Sequence, residues 1–312
     1  MTDCKLFTLL ERSRLFLCHI QQFRTAGTIH ACNGTGRCYL GGSLIEPVYM
    51  KVVILCGGKG TRLREETEYR PKPMVPIGNR PILWHIMKIY AACGFNEFVL
   101  CLGYKGEMIK DFFRNYHWMT SHVTLRLGGQ SDVAFHNHHD EEDWTVTLAD
   151  TGEETMTAGR IRRIKQFIGG DSEFFLTYGD GVGNIDIAAA LAFHRKHGKH
   201  LTVTAVRPPG RFGELVIGPG GAVAEFNEKP QAAEGRINGG FFVASRAIFD
   251  YLDENADSVM FEQKPVQSVA RQGQLMAFAH DGFWQPMDTF SEYSLLNRLW
   301  AEGKAPWKIW KP

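Results

Sequence analysis

The stretch "KVVILCGGKGTRLREETEYRPKPMVPIG", residues 51–78, decides how the rest of the chain is interpreted. Residues 52–56 are apolar without interruption, which is typical of a strand that is buried on both faces. Gly57, Gly58 and Gly60 follow directly. Glycines at the carboxyl end of a strand let backbone N–H groups approach phosphate oxygens without a side-chain clash. The pattern therefore predicts a buried strand that ends in an anion-binding turn.

Two better-known phosphate motifs do not fit this turn. A P-loop needs Gly-x-x-x-x-Gly-Lys-Ser/Thr, and no lysine of this stretch is followed by Ser or Thr at that spacing. A dinucleotide fingerprint needs Gly-x-Gly-x-x-Gly, and counted from Gly58 its third glycine would fall on Leu63. A turn without any ligand stays open on the glycines alone.

The residues after the turn favour a site. Lys72 stands between Pro71 and Pro73, which fix the local backbone angles and extend the chain. A solvated surface charge needs no such restraint. The sequence therefore predicts that Lys72 is a functional residue of the same site as the glycine turn.

Composition limits the function further. The chain of 312 residues has 44% hydrophobic residues and could hold one large or two small domains. With 35 Lys and Arg against 34 Asp and Glu, its net charge is +1, so we expect neither a nucleic acid nor a membrane as partner. We interpret Cys56, Cys93 and Cys101 as reduced core residues, and we expect a cytoplasmic protein.

The first 49 residues differ in character from the rest. Glu11, Arg12 and Arg14 interrupt their apolar stretch, which excludes a secretory signal of the usual form. Cys32 and Cys38 could form a disulfide or bind a metal, but no second pair with zinc spacing follows. We expect residues 1–49 to be a poorly ordered extension or translated sequence upstream of a start at Met50, with the functional domain spanning 50–312.

Strand and helix patterns alternate after residue 50. The order predicts an α/β fold with a mixed, mostly parallel sheet that is flanked by helices, with right-handed crossovers. The segment "PPGRFGELVIGPGGAVAEFNEKP", residues 208–230, switches to short strands and glycine turns. It predicts a small antiparallel subdomain inserted into that fold.

The string Gly-Gly-x-Gly-Thr-Arg-Leu followed by Pro-Lys-Pro resembles the signature of the sugar-1-phosphate nucleotidyltransferases. The strings "TYGDGV", "NEKP", "INGGFFV" and "GFWQPMDT" resemble the cytidylyltransferase branch of that family, and the resemblance covers nearly all of residues 51–308. It implies a Rossmann-like nucleotidyltransferase fold, CTP and α-D-glucose 1-phosphate as substrates, and CDP-glucose and pyrophosphate as products. It further implies a homo-oligomer and a place in bacterial O-antigen and dideoxysugar biosynthesis.

Alternatives to this interpretation stay open at the level of sequence. The same chemistry could use dTTP or UTP, because pyrimidines are contacted mostly by the backbone. A non-catalytic sensor of sugar nucleotides could have the same fold.

The implied reaction needs charge neutralisation more than proton transfer. A sugar phosphate has a second pKa of about 6, so its attacking oxygen is already mostly deprotonated at neutral pH. The obstacle is repulsion between anions, which amounts to about 4 kcal/mol for two unit charges 4 Å apart at an effective dielectric near 20. Positioning and cationic side chains should therefore dominate catalysis.

On the nucleotide side, the resemblance implies Arg62, Lys72 and Lys229 as catalytic residues. Arg62 and Thr61 would hold the β- and γ-phosphates, Lys72 the α-phosphate and Lys229 the sugar phosphate. Arg160 could instead lie on the solvated face of a helix or serve a neighbouring subunit, and Lys229 could be a solvated turn lysine. The implied nucleotide-binding residues are Leu55, Cys56, Gly57, Gly58, Lys59, Gly60, Thr61, Arg62, Lys72, Thr155, Arg160 and Gly179.

The resemblance also implies a sugar pocket and a metal site. Asp180 and Asp288 would bind Mg²⁺, which prefers carboxylate oxygens. Asp180 could alternatively be a turn former and Asp288 a helix N-cap. The implied sugar-binding residues are Tyr178, Glu228, Lys229, Asn238, Gly239, Gly240 and Trp284.

Overall fold

The computed structural model describes residues 50–60, 62–128, 132–136, 143–208, 214–217, 223–227 and 235–310, and three short strands nearer the N-terminus. The chain divides into two compact units, Met1–Tyr49 and Met50–Pro312. In the first unit the antiparallel strands are Ile29–His30, Cys38–Leu40 and Ser43–Ile45. The remaining residues of 1–49 lie outside the described residues, so their expected low order and origin stay predictions.

The second unit is built on an eight-stranded sheet. Its strands are β1 (Lys51–Leu55), β2 (Glu97–Leu102), β3 (Thr145–Asp150), β4 (Glu173–Tyr178), β5 (Leu201–Val206), β6 (Ile237–Asn238), β7 (Phe242–Ser245) and β8 (Leu275–His280). The path runs β3-β2-β1-β4-β7-β5-β6, and β8 pairs with β5. The first four strands are parallel, β7 is antiparallel to both its neighbours, and β8 is parallel to β5. The predicted mixed, mostly parallel sheet is therefore confirmed.

Helices cover both faces of this sheet. They are α1 (Ile82–Ala91), α2 (Gly106–Arg114), α3 (Thr157–Arg163), α4 (Ile187–His197), α5 (Lys264–Arg271) and α6 (Phe290–Ala301). Alternate residues of β1 serve opposite faces, as a strand's period of two requires. Ile54 lies in the core with α1, α4 and α6, whereas Val53 lies in the core with α3 and α5.

Shorter elements complete the unit. The strands are Pro76–Ile77, Arg80–Pro81, His122–Arg126, Asp132–His136, Gly181–Gly183, Glu214–Ile217, Val223–Asn227 and Trp284–Pro286. The short helices are Arg64–Thr67, Tyr116–Thr120 and Lys165–Ile168, and the 3₁₀ turns are Lys72–Met74, Arg246–Tyr251 and Glu254–Ser258. Glu214–Ile217 and Val223–Asn227 form an antiparallel pair, as the glycine-rich segment predicts.

Two helices differ from the sequence pattern. The pattern over 158–169 predicts one helix, but in the structure the helix ends at Arg163 and Ile164 is its C-cap. The Ile164 N–H donates to the carbonyls of both Arg160 and Arg162. The pattern over 245–253 predicts an α-helix, and the structure has a 3₁₀ turn there, the tighter form that suits short connections. In the described part of the chain, no helix has both the length and the apolar character needed to cross a membrane.

Candidate active site

The glycine turn leaves β1 at the edge where the parallel strands end. The carbonyl of Gly57 accepts hydrogen bonds from the Tyr104 N–H and from the Arg160 guanidinium. A Cβ on Gly57 would lie 2.2 Å from that guanidinium, so any larger residue would displace the Arg160 side chain from this position. Gly58 differs, because in the part of the chain that the structure describes no atom beyond its own chain neighbours lies within 4 Å of a Cβ placed there. The turn is therefore packed on its protein side at Gly57 and open at Gly58.

Arg160 joins the ends of three strands. Its side chain is only 4% exposed, so its interpretation as a residue on a solvated helix face is wrong. Burial lowers the pKa of Arg160, but the guanidinium faces a set of oxygen acceptors that compensates its charge. Those acceptors are the carbonyls of Gly57, Leu102, Gly152 and Glu153 and the hydroxyl of Thr151, all at 2.8–3.1 Å. A contact between Arg160 and the base stays a prediction.

Lys72 is buried directly beneath the glycine turn. Gly60 has a φ of +62°, and a Cβ there would lie 3.1 Å from the Lys72 Cβ. The Nζ atom lies 2.7 Å from Asp180 Oδ2 and 2.5 Å from Asp288 Oδ1. Burial by itself would lower the pKa of Lys72, but Asp180 and then Asp288 raise it overall. Lys72 is therefore a charged ammonium that is shared by two carboxylates.

A small antiparallel pair brings the two aspartates together. Gly181–Gly183 pairs with Trp284–Pro286, and the Met287 N–H donates to the Asp180 carbonyl at 2.8 Å. The two aspartates flank this pair, so both emerge at the same edge as Lys72. Asp288 is not the N-cap of α6, because Thr289 caps that helix in a capping box with Glu292. The carboxylate of Asp288 therefore does not cap the helix and instead contacts Lys72 and Arg62.

Arg62 completes this charged group from the solvent side. Its side chain is 75% exposed, and its Nη1 donates to Asp288 Oδ2 at 3.0 Å. Burial would raise the pKa of Asp288, but the Lys72 hydrogen bond and the charges of Lys72 and Arg62 lower it overall. We call Arg62, Lys72, Asp180 and Asp288 the phosphate edge.

The phosphate edge has the donor set of a magnesium site. Because one nitrogen contacts both Asp180 and Asp288, a single small cation could bind both carboxylates. Magnesium is usually held by one or two carboxylates, with waters and substrate phosphates completing an octahedron. Within the described ranges no group of three or more His, Cys, Asp and Glu side chains could hold a metal ion. A pair of carboxylates fits Mg²⁺, which takes its remaining ligands from water and substrate phosphates.

The predicted sugar residues that are described also lie together. The Asn238 amide donates to the Tyr178 hydroxyl at 3.0 Å, and the Gly240 N–H donates to Asn238 Oδ1 at 2.9 Å. The Trp284 indole donates to the Gly239 carbonyl at 2.8 Å. We call Tyr178, Asn238, Gly239, Gly240 and Trp284 the sugar cradle. Tyr178 is the last residue of β4, and Asp180 of the phosphate edge comes two residues later, so the two groups meet at the end of this strand.

The other predicted site residues lie around these two groups. Leu55 and Cys56 are buried at the end of β1, and the Gly179 N–H donates to the Leu55 carbonyl at 3.1 Å. Lys59 is exposed and pairs with Glu154 at 2.7 Å. Thr155 lies on the segment that leads from β3 to α3.

Three predicted site residues, Thr61, Glu228 and Lys229, lie outside the described residues, so their roles stay predictions. Sequence reasoning missed Glu262, whose carboxylate accepts from the Tyr178 hydroxyl at 2.7 Å. Residue spacing could not have found this pair, because the contact joins positions 84 residues apart.

The fold and the site define a class of protein. A parallel sheet ends in a glycine turn over a buried lysine that is shared by two aspartates, an arrangement suited to binding a phosphorylated nucleotide. The nucleotidyl transferase family model matches residues 51–301. The chain belongs to this family.

Particular relatives make the similarity more specific. The chain is 50% identical over 262 residues to a glucose-1-phosphate cytidylyltransferase of Salmonella typhi, covering 84% of this chain and 100% of the relative. It is 45% identical over 261 residues to a probable glucose-1-phosphate cytidylyltransferase of Bacillus subtilis, covering the same shares.

Solved structures confirm the fold. A putative glucose-1-phosphate thymidylyltransferase from Bacillus anthracis superimposes with a TM-score of 0.59 at 18% identity, covering 84% of this chain and 98% of its own. HddC from Yersinia pseudotuberculosis has the same TM-score at 24% identity and covers 80% of this chain and 99% of its own. At such identities these likenesses concern the fold alone.

Proposed function

We propose that this protein transfers the cytidylyl group of CTP to α-D-glucose 1-phosphate and releases pyrophosphate. The observation that carries the proposal is 50% identity to a glucose-1-phosphate cytidylyltransferase over that relative's whole length. The phosphate edge and the sugar cradle, which lie side by side at the end of β4, support it independently. One half offers charges to phosphates and the other offers hydrogen bonds to hydroxyl groups.

In the proposed reaction, an oxygen of the sugar phosphate forms a bond to the α-phosphorus of CTP. The bond to the bridging oxygen of the β-phosphate breaks, and pyrophosphate leaves with that electron pair. No general base is needed, because the attacking oxygen is already mostly ionised at neutral pH. Lys72 is the group that would stabilise charge on the α-phosphate, since it is the buried cation of the phosphate edge. The Arg62 side chain is 75% exposed, so it has room to move and would bind the β- and γ-phosphates as they leave.

We further propose that Asp180 and Asp288 hold Mg²⁺ when the nucleotide is bound. A bound magnesium ion would neutralise phosphate charge in the cleft. Lys72 now contacts both carboxylates, so it must give up these contacts before the same oxygens can serve as ligands. The triphosphate supplies the anionic oxygens that would draw its ammonium away. Lys72 and the nucleotide would therefore exchange partners as the site fills.

The sugar cradle would bind glucose through neutral groups. Gly239 is buried and a Cβ on it would lie 2.5 Å from Val206, so the backbone here is packed closely against that side chain. The exposed amide of Asn238 and the indole of Trp284 present a hydrogen-bonding group and an apolar ring next to each other. This pairing suits a hexose, which has hydroxyl edges and a less polar face. Lys229 and Glu228 would complete this side, as the resemblance implies.

Two other functions compete with this one. Use of dTTP or UTP would keep every charged residue in the same role, and the structural likeness to a thymidylyltransferase is too distant to favour it. A non-catalytic sensor would not need the charge-neutralising residues. Arg62, Lys72, Asp180 and Asp288 all remain and are assembled, which favours an enzyme.

A pyrophosphate-release assay tests the proposal directly. The purified protein is incubated with glucose 1-phosphate, Mg²⁺ and each nucleoside triphosphate in turn. We expect release with CTP to exceed release with dTTP, UTP, ATP and GTP by at least about tenfold, a difference of 1.4 kcal/mol in transition-state binding. No release with any triphosphate would refute an enzyme, and faster release with dTTP or UTP would refute the choice of base.

The cellular setting is a wider part of the proposal. We propose that the product is used in dideoxysugar and O-antigen biosynthesis in the cytoplasm, and that the enzyme is a homo-oligomer. These statements rest on the resemblance of the sequence to its family. Sedimentation of the purified protein would test the last of them, and a monomer at micromolar concentration would contradict it.

A further inference from the structure

The Tyr178 hydroxyl connects the sugar cradle to Glu262, a residue outside the cradle. The Tyr178 hydroxyl lies 2.7 Å from Glu262 Oε1 and 3.0 Å from Asn238 Nδ2. An amide nitrogen can only donate, so the hydroxyl accepts from Asn238 and must direct its own hydrogen to Glu262. Burial, and then the Glu262 carboxylate, raise the pKa of Tyr178, so the phenol stays protonated and keeps donating. Glu262 thus fixes the direction of this chain of hydrogen bonds.

Asn238 receives its orientation through the same chain. Its Oδ1 accepts from the Gly240 N–H, so its amide group is held at both ends. An amide nitrogen has two hydrogens, and the Tyr178 contact uses one of them. The exposed Asn238 can therefore offer the other to a hydroxyl group of a ligand.

Glu262 itself is anchored to the core. Its Oε2 accepts from the Thr157 hydroxyl at 3.0 Å, and the Phe261 N–H donates to the same hydroxyl at 2.7 Å. Phe261 is fully buried in the core beneath α3 and α5. The glutamate is therefore held by one oxygen and presents the other to Tyr178.

We propose that Glu262 is a positioning residue for the sugar half of the site, acting through Tyr178 on Asn238. The proposal rests on the proposed function, because it assigns the cradle to glucose 1-phosphate. It predicts a specific effect on the sugar substrate and none on the nucleotide, since the phosphate edge makes no described contact with Glu262.

The test replaces the carboxylate in two ways. Glu262→Leu removes both acceptor oxygens and keeps similar bulk, and we expect it to raise the KM for glucose 1-phosphate about tenfold, as the loss of a hydrogen bond to a charged group can do. Glu262→Gln keeps an oxygen that can accept from the phenol, so its KM should stay within about threefold of the wild type. For both variants the KM for CTP should stay within about twofold. Glu254→Leu is the matched control, because Glu254 is an exposed glutamate in the preceding 3₁₀ turn.

A double-mutant cycle separates positioning from direct binding. If Glu262 acts through the Tyr178 hydroxyl, adding Glu262→Leu to Tyr178→Phe should change the KM for glucose 1-phosphate by less than about twofold. An effect of full size in that background would overturn the proposal, because it would mean that Glu262 reaches the sugar by itself. An equal rise of both KM values for Glu262→Leu, with a lowered melting temperature, would overturn it as well by indicating general damage.

Calorimetric titration with glucose 1-phosphate keeps the two proposals distinguishable. A wild-type protein that releases no pyrophosphate but binds glucose 1-phosphate, with binding weakened in Glu262→Leu, would refute the proposed reaction and support the positioning role. A wild type that is active, with Glu262→Leu unchanged in KM and in binding, would refute the positioning role alone. A wild type that releases no pyrophosphate and binds no glucose 1-phosphate would refute both.

Discussion

The phosphate edge and the sugar cradle lie beside each other but are held in opposite ways. In the phosphate edge, Lys72 forms ion pairs with Asp180 and Asp288, and Arg62 forms one with Asp288. The charged side chains that are proposed to bind phosphates and Mg²⁺ therefore bind one another. In the sugar cradle, neutral donors and acceptors are hydrogen-bonded to one another, and Asn238 is exposed. With the proposed substrates, the charged half would have to exchange partners on binding, whereas the neutral half already has its hydrogen bonds in place.

Loss of the buried cation should have the largest effect. Lys72→Ala should lower kcat by about a thousandfold, at the upper end of what removal of one charge-stabilising donor costs. Steady-state kinetics measure this. Lys51→Ala is a matched control, because Lys51 also bridges two carboxylates, Asp171 at 2.8 Å and Glu97 at 3.5 Å, but at the other end of β1. Equal kinetics in the two variants would remove Lys72 from the mechanism.

Loss of one carboxylate should come next. Asp180→Asn should lower activity by about a hundredfold or more and abolish the response to Mg²⁺, since a neutral amide is a poor ligand for a hard cation. Initial rates over a range of Mg²⁺ concentrations measure both effects. A variant that is still stimulated by Mg²⁺ as strongly as the wild type would refute the assignment of Asp180.

A third variant tests whether Lys72 and a metal ion compete for the two carboxylates. Lys72→Met removes the ammonium that now contacts Asp180 and Asp288, so without nucleotide the variant should bind Mn²⁺ about tenfold more tightly than the wild type. Electron paramagnetic resonance of free Mn²⁺ measures this without any turnover. Unchanged or weaker Mn²⁺ binding would mean that the two carboxylates do not form a metal site.

The sugar cradle should respond more mildly. Trp284→Phe keeps an aromatic ring but removes the hydrogen bond to the Gly239 carbonyl. We expect a rise of about fivefold in the KM for glucose 1-phosphate, within the range for one neutral hydrogen bond, and little change in the KM for CTP. A kcat loss comparable with that of Lys72→Ala would end the distinction between the two regions.

The smallest expected effect concerns stability and pH. The folded protein holds the pKa of Asp288 below its ordinary value of 3.8, so the unfolded state binds a proton first as the pH falls. The stabilisation is therefore present above that ordinary value and is lost as the pH falls through the lowered one. Urea unfolding near pH 6 and about pH 3 should show a larger loss for the wild type than for Asp288→Asn. Equal losses would show that the pairing with Lys72 and Arg62 adds nothing to stability.

Much of the fold and part of the site follow from local patterns. Sequence reasoning predicts features whose effect is local. Examples are the apolar run of β1, the glycines after it and the prolines around Lys72, each of which determines the conformation of adjacent residues. Sequence reasoning does not decide whether Asp288 caps α6 or binds a metal, because aspartate suits both roles. The structure rules out the cap, because Glu292 completes the capping box with Thr289.

What sequence reasoning misses depends on distant contacts. Arg160 lies in a basic helix, so its sequence context allows a solvated position. In the structure it is buried and donates hydrogen bonds to carbonyls at the ends of three strands. Glu262 directly follows three apolar residues, 259–261, and belongs to no motif, so only the folded chain brings it to Tyr178. Tertiary contacts override local pattern at such positions, and functional sites are where this is expected.

The exchange of partners at the phosphate edge is tested most directly by a crystal structure with CTP and Mn²⁺, in which anomalous scattering locates the metal. We predict a metal peak between the carboxylates of Asp180 and Asp288, with the Lys72 ammonium moved from them to phosphate oxygens. A structure with the nucleotide bound, Lys72 still bridging both aspartates and the metal elsewhere would contradict the account.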